Sequence, residues 1–234
     1  MVSAPALPFV VFGYGSLIFK ARCPPPHVIA QGTRIRARPI IIVERQSNES
    51  PGLQFPDTSK AIGAKLFPGR IAQNLICVQN PGRVVTLVHK EDWDRFSGSD
   101  AFPDEDVVWG IAYTIDPVYE AEVRDYLDYR EKDGYTMETL DIHSVIDGKE
   151  QTIIHNAFCY VGRNDNPSFI GSEPLDILAD RIWRTVGPSG PNKEYLFKLA
   201  NSVRELSPDS YDSHLFALED MVKALDGQLS KESA

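Results

Sequence analysis

The chain reads as an α+β fold, and three features of its 234 residues predict it. Short β-rich apolar runs come first, beginning at residues 9–12 and recurring at 84–88 and 107–115. One amphipathic helical segment, opened by Asp116-Pro117, separates these from a further pair of strand-like runs. From Leu175 onward, apolar residues recur only at helical spacing. Strands first and helices later favour segregated α+β layers over an alternating parallel sheet.

Taken in order, residues 9–12 (Phe-Val-Val-Phe) form a buried strand that stops at Gly13. Residues 84–88 give a second strand. In residues 107–115, Trp109, Ile111 and Tyr113 alternate as in a third. Asp116 is a natural N-cap and Pro117 a natural first helical residue. Val123, Tyr126, Leu127 and Arg130 then carry a helix from Pro117 to Tyr129 or Arg130, stopped by Gly134. A strand over 135–145, Asp147-Gly148, and a run over 152–161 predict a hairpin. Three helical stripes follow: Leu175, Leu178, Ile182 and Val186; Tyr195, Leu196, Leu199, Val203 and Leu206; and Leu215, Leu218, Val222 and Leu225. One domain over residues 8–226 is expected, with 227–234 a flexible tail.

Composition narrows the function. The formal charge is −9, and basic residues form no stripe interleaved with aromatics, which argues against nucleic acid as a partner. No apolar stretch reaches membrane-spanning length, and the N-terminus lacks a basic signal region. Cys23, Cys77 and Cys159 are odd in number and far apart, which suits a reducing compartment, so a soluble cytoplasmic protein is expected. The histidines lack ligand spacing, so no metal site is expected. Asn48-Glu-Ser50 matches a glycosylation acceptor but carries little weight without a secretion signal.

Two motifs carry the chemistry. Phe12-Gly-Tyr-Gly-Ser-Leu17 ends the first strand with two glycines, which let the backbone turn and present N–H groups. Tyr126-Leu-Asp-Tyr-Arg-Glu-Lys-Asp-Gly-Tyr135 places Glu131 at the end of the amphipathic helix, just before a glycine. A cradle of backbone donors with one carboxylate suits proton-shuttling chemistry on a small anionic substrate. Taken alone, Glu131 reads equally as a solvated helix-end charge, and Gly13-Tyr-Gly15 as an ordinary turn. Tyr160 reads as a packing residue in an apolar strand, and Tyr135 and Trp109 read as core. Glu122, on the same helix, reads as exposed. Ser16 has no nearby histidine base and is better suited to donating a hydrogen bond than to nucleophilic attack.

The two motifs combine with Pro81-Gly-Arg-Val-Val-Thr-Leu87, Trp109-Gly-Ile-Ala-Tyr113, Tyr160-Val-Gly162, Phe169-Ile-Gly171 and Gly187-Pro-Ser-Gly-Pro-Asn-Lys-Glu-Tyr195. In this order they make the chain resemble the ChaC-type glutathione-specific γ-glutamylcyclotransferases, over residues 8–26 and 80–226. The resemblance implies a mixed, barrel-like sheet flanked by helices, no cofactor, and cleavage of glutathione to 5-oxoproline and cysteinylglycine. It further implies Glu131 as general acid and base, and the backbone of Tyr14, Gly15, Ser16 and Leu17 as the γ-glutamyl cradle. Tyr160 matches a tyrosine lining the family's pocket. Two other readings stand beside this one: cyclisation of a different γ-glutamyl amine, and a catalytically impaired homologue that binds γ-glutamyl compounds or a protein partner. Oligomeric state cannot be read from the sequence.

Residues 31–79 depart from the family pattern. The Arg-Arg-Phe strand and the Asp-His-Arg-Gly segment that members carry are missing. Arg34-Ile-Arg-Ala-Arg38 is followed by an aperiodic stretch until Asn80. The break predicts intron read-through or a frame-shifted gene model, which sequencing the mature transcript would check. It also predicts the loss of a central strand and an exposed sheet edge, with Ile40-Ile-Ile-Val43 as the run able to substitute.

Overall fold

Phe9–Gly13 form β1, a strand buried along its whole length. Val10, Phe12 and Tyr14 pack one way, with Leu87, Val108, Ala112, Ile142, Ala157 and Cys159. Phe9 and Val11 pack the other way, with Leu17, Ile115, Val123, Leu127 and Tyr160. Burial on both faces is why this segment is an unbroken apolar run rather than an alternating one. Each large side chain so buried contributes roughly 1.5–3 kcal/mol of transfer free energy. The computed structural model describes residues 9–19, 31–37, 41–46, 82–96, 98, 101–102, 108–131, 135–146, 149–166, 169–187, 190–207 and 210–232.

Short α1 (Ser16–Phe19) follows β1. The next strands are β2 (Gln31–Ala37), β3 (Ile41–Gln46) and β4 (Arg83–Val88), then α2 (Lys90–Phe96) and β5 (Val108–Ile115). A 3-10 turn (Pro117–Tyr119) leads into α3 (Glu120–Arg130), and the long strands β6 (Tyr135–Ile146) and β7 (Lys149–Gly162) come after it. Five strands close into a barrel in the order β1-β5-β2-β6-β7, with β7 returning to β1 in parallel at Val11↔Phe158 and every other pair antiparallel. β3 and β4 form a separate antiparallel ribbon. Gly110 on β5 is dictated by packing, since a Cβ there would stand 2.5 Å from both the Gly13 carbonyl oxygen and the Phe12 ring.

The α+β class and the mixed barrel flanked by helices match expectation. The open edge does not occur, because β2 lies between β5 and β6 and pairs with both. The segment thought to remove a central strand supplies one at Gln31–Ala37, and Ile41–Gln46 pairs with β4 instead of replacing it. Residues 47–81 lie outside the described residues, as do Cys23, Lys132-Asp-Gly134, Asp147-Gly148 and Pro188.

The C-terminal part forms the expected helical layer: α4 (Leu175–Arg184), a two-residue ribbon of β8 (Val186–Gly187) and β9 (Gly190–Pro191), α5 (Asn192–Leu206) and α6 (Ser213–Glu232). Val186, expected on the first helical stripe, instead lies exposed in β8, because α4 ends at Arg184. Leu178, Ile182, Leu196, Leu199, Val203, Leu218 and Val222 form its core. α6 continues through Gly227 to Glu232, past the point where fraying was expected.

Candidate active site

The end of α3 is aimed by the way the helix begins and packs. The Asp116 carboxylate accepts the Val118 N–H at 2.9 Å, and Pro117 fills the first turn. Val123 and Leu127, one turn apart, bury against the outward residues of β1. The Arg124 guanidinium lies 3.9 Å from the Phe9 ring centroid and 4.5 Å from that of Phe158, which fixes the rotation of the helix on the sheet. Glu131 caps the helix, donating its N–H to Leu127 O at 2.8 Å, and is half-buried.

The glycine turn comes up beside it from the end of β1. Gly15 has φ 55, and a Cβ there would stand 2.6 Å from Val85 Cγ1, so the position demands glycine twice over. The Leu17 N–H donates to Tyr14 O at 3.0 Å, and the Ile18 N–H to Gly15 O at 3.1 Å. Of the four backbone amides assigned to a ligand cradle, that of Leu17 therefore serves the turn itself. The Tyr113 hydroxyl, donating to Leu17 O at 2.9 Å, ties the turn to β5.

Tyr14 has a second task. Its buried hydroxyl accepts the Leu87 N–H at 3.3 Å and donates to the Tyr160 carbonyl at 2.9 Å, bolting β4 to β7 beneath the turn. Burial first, then the neighbouring Tyr135, Cys159 and Glu131, push the Tyr14 phenol well above its ordinary pKa. The Tyr160 phenol is also raised, by burial and then by its bond to Asp128, whose carboxylate accepts it at 2.7 Å. The Cys159 thiol is fully buried and raised, by burial and then by Glu138, and so is not available as a thiolate.

Leu127 of α3 packs with Leu17 of the turn and Tyr160 of β7, and Asp128 meets the Tyr160 hydroxyl, so Glu131, the next turn of the chain, stands near the place where the turn, α3 and β7 meet. The site sets the carboxylates of Glu131 and Asp128 among phenols that stay protonated at neutral pH, beside a turn of backbone amides. It can move a proton at a substrate nitrogen and orient polar groups around it.

Glu131, Tyr14, Gly15, Ser16, Leu17 and Tyr160 thus gather at one end of the barrel. Glu122 is exposed on α3, as expected. Trp109 is half-buried and donates its indole N–H to Tyr211 O at 3.1 Å. The sequence reading singled out neither Asp128, inside the same motif as Glu131, nor Tyr135 as a neighbour of Tyr14. A small cavity beyond β4, of about 40 Å³ among Arg83, Val85, Asn192, Tyr195 and His214, holds none of the site residues. Among the described residues, no group of three His, Cys, Asp or Glu could hold a metal ion, and no helix is long and apolar enough to cross a membrane.

A family model described as ChaC-like protein matches residues 69–225, starting ahead of the point at Asn80 where the motifs resume. The chain is 35% identical over 213 residues to the glutathione-specific gamma-glutamylcyclotransferase of Schizosaccharomyces pombe, covering 91% of each. It is 31% identical over 144 residues to the human glutathione-specific gamma-glutamylcyclotransferase 1, covering 61% of this chain and 58% of that one. The crystal structure of the yeast gamma-glutamyl cyclotransferase specific to glutathione superposes with a TM-score of 0.64 at 28% identity, covering 92% of this chain and 96% of that one.

Proposed function

The chain belongs to the ChaC-like protein family, and from that premise we propose that it cleaves glutathione to 5-oxoproline and cysteinylglycine. The α-amine of the γ-glutamyl group attacks its own γ-carbonyl, a five-membered ring closes, and the amide C–N bond to cysteine breaks. Glu131 takes a proton from the substrate ammonium and returns one to the departing cysteinyl nitrogen, so one carboxylate serves both half-reactions. The turn at Tyr14–Leu17 holds the γ-glutamyl part through Gly15 and Ser16, and Tyr160 borders the same pocket. Holding the substrate folded for attack supplies effective molarities on the order of 10⁵–10⁸ M. The proton shuttle adds roughly 10²–10⁴-fold.

The observation that supports this reading is that hydrogen bonds from Tyr14 to the Tyr160 carbonyl and from the Tyr160 hydroxyl to Asp128 tie the glycine turn, β7 and the end of α3 together beside Glu131. No cofactor enters this chemistry, and a cytosolic setting, where the substrate is kept reduced, fits it. The test is to incubate the purified protein with glutathione and assay both products. Equal release of 5-oxoproline and cysteinylglycine is expected. Glu131→Gln keeps the shape of the side chain and should lower turnover about 10²–10⁴-fold. A variant retaining most of its activity would overturn the assignment of Glu131.

The family's Arg-Arg-Phe and Asp-His-Arg-Gly segments are missing ahead of residue 69, where the family-model match begins, and this favours a second reading, a homologue that binds γ-glutamyl compounds without turning them over. A glutathione-dependent rise in melting temperature without product would support it.

A further inference from the structure

Asp128 and Glu131 stand three residues apart at the end of α3, yet the mechanism above uses only Glu131. Asp128 accepts the Tyr160 hydroxyl proton at 2.7 Å, within the ordinary range for an O–H···O hydrogen bond. A phenol has a single proton. With that proton committed to Asp128, the Tyr160 oxygen can serve any further neighbour only as an acceptor. Glu131 follows Asp128 by three residues, the spacing that puts two side chains on one face of a helix end. A γ-glutamyl substrate brings one strong donor to such a place, its α-ammonium.

We propose that Asp128 is a positioning residue: by holding the Tyr160 proton, it presents the Tyr160 oxygen as an acceptor for the substrate α-ammonium beside Glu131. The inference rests on the γ-glutamyl reading above. If Asp128 released the proton, the hydroxyl could turn its hydrogen toward the ammonium and oppose the pose from which Glu131 deprotonates it. A purely structural Tyr160–Asp128 bond, pinning α3 to β7, would affect every ligand alike.

The test uses two ligands, glutathione and glutaryl-cysteinylglycine, which is the same tripeptide without the α-amine. Calorimetry on the Glu131→Gln protein measures binding without turnover. Adding Asp128→Ala should weaken glutathione roughly tenfold and leave the des-amino ligand within about twofold. Asp128→Asn, whose Oδ1 still accepts from Tyr160, should stay within about threefold of its parent. In a Tyr160→Phe background, Asp128→Ala should have no further effect, because it acts through the hydroxyl. Asp128 is exposed on a helix, so alanine there does not threaten the fold, and melting curves check this. Equal weakening of both ligands, an undiminished effect in the Tyr160→Phe background, or no glutathione binding by a folded protein would each overturn the inference. Product release by the wild type tests the parent reading separately. Turnover with no amine selectivity at Asp128 removes only the positioning role, and amine-selective binding with no turnover removes only the activity.

Discussion

Tyr14 shows how one residue can belong to a functional motif and still act mainly on the framework. Its backbone enters the glycine turn, but its hydroxyl bridges the Leu87 N–H and the Tyr160 carbonyl inside the barrel. Tyr14→Phe keeps the ring but takes the hydroxyl from the Leu87 N–H and leaves the Tyr160 carbonyl with the weak Cys159 thiol donor at 3.8 Å, at about 1–3 kcal/mol. The expected result is a lower denaturation midpoint with kcat/KM falling less than about tenfold at temperatures where the protein stays folded. A hundredfold loss of turnover at unchanged stability would place the hydroxyl in the chemistry instead. At this scale Glu131 and Tyr160 could be nominated from sequence because recognisable motifs surround them. Asp128 was not, since a carboxylate on an exposed helix face looks the same in sequence whether it is solvated or aimed at a tyrosine on another element.

Among the elements, the glycine turn between β1 and α1 is the one most tightly specified by its surroundings. Gly15 combines a positive φ with a close approach to Val85 of β4. In Gly15→Ala the left-handed backbone costs about 1–2 kcal/mol, and the methyl group must push β4 away or move the turn. Since the turn is the proposed seat of the γ-glutamyl group, KM for glutathione should rise, at least tenfold, along with the loss of stability; an unchanged KM in a folded variant would detach the turn from the substrate. β2 was the element hardest to read. Its sequence, Gln-Gly-Thr-Arg-Ile-Arg-Ala, alternates with period two, but arginines occupy alternate positions and no apolar run marks it. Its strand state depends on pairing with β5 and β6, which no local window reveals. β1 and α3, by contrast, carry their own signals: a two-faced apolar run, and a cap followed by proline.

On the scale of the whole molecule, the order of strands and then helices was plain from periodicity, but the joint between barrel and helical layer was not, because it is made by single polar groups far apart in sequence. Asn192, at the start of α5, is the central one. Its Oδ1 accepts the Arg83 N–H at 2.7 Å and its Nδ2 donates to the Arg83 carbonyl at 2.8 Å, so the side chain pairs with β4 as a neighbouring strand would. Its own N–H donates to Thr185 O at 2.9 Å, and the Arg83 guanidinium reaches Glu173 at 2.8 Å just before α4. Both Asn192 and Arg83 are buried. Asn192→Ala takes a side-chain partner from one amide and one carbonyl of the buried Arg83, at about 1–3 kcal/mol each. For a chain of this size the two together correspond to a midpoint lowered by roughly 4–24 °C. β4 also carries Val85 against Gly15 and Leu87 against Tyr14, so loosening it reaches the site from behind. Product release from glutathione should therefore fall at temperatures approaching the new midpoint and recover on cooling. Unchanged thermal unfolding would mean that packing of the helical core, not this polar joint, holds the two layers together.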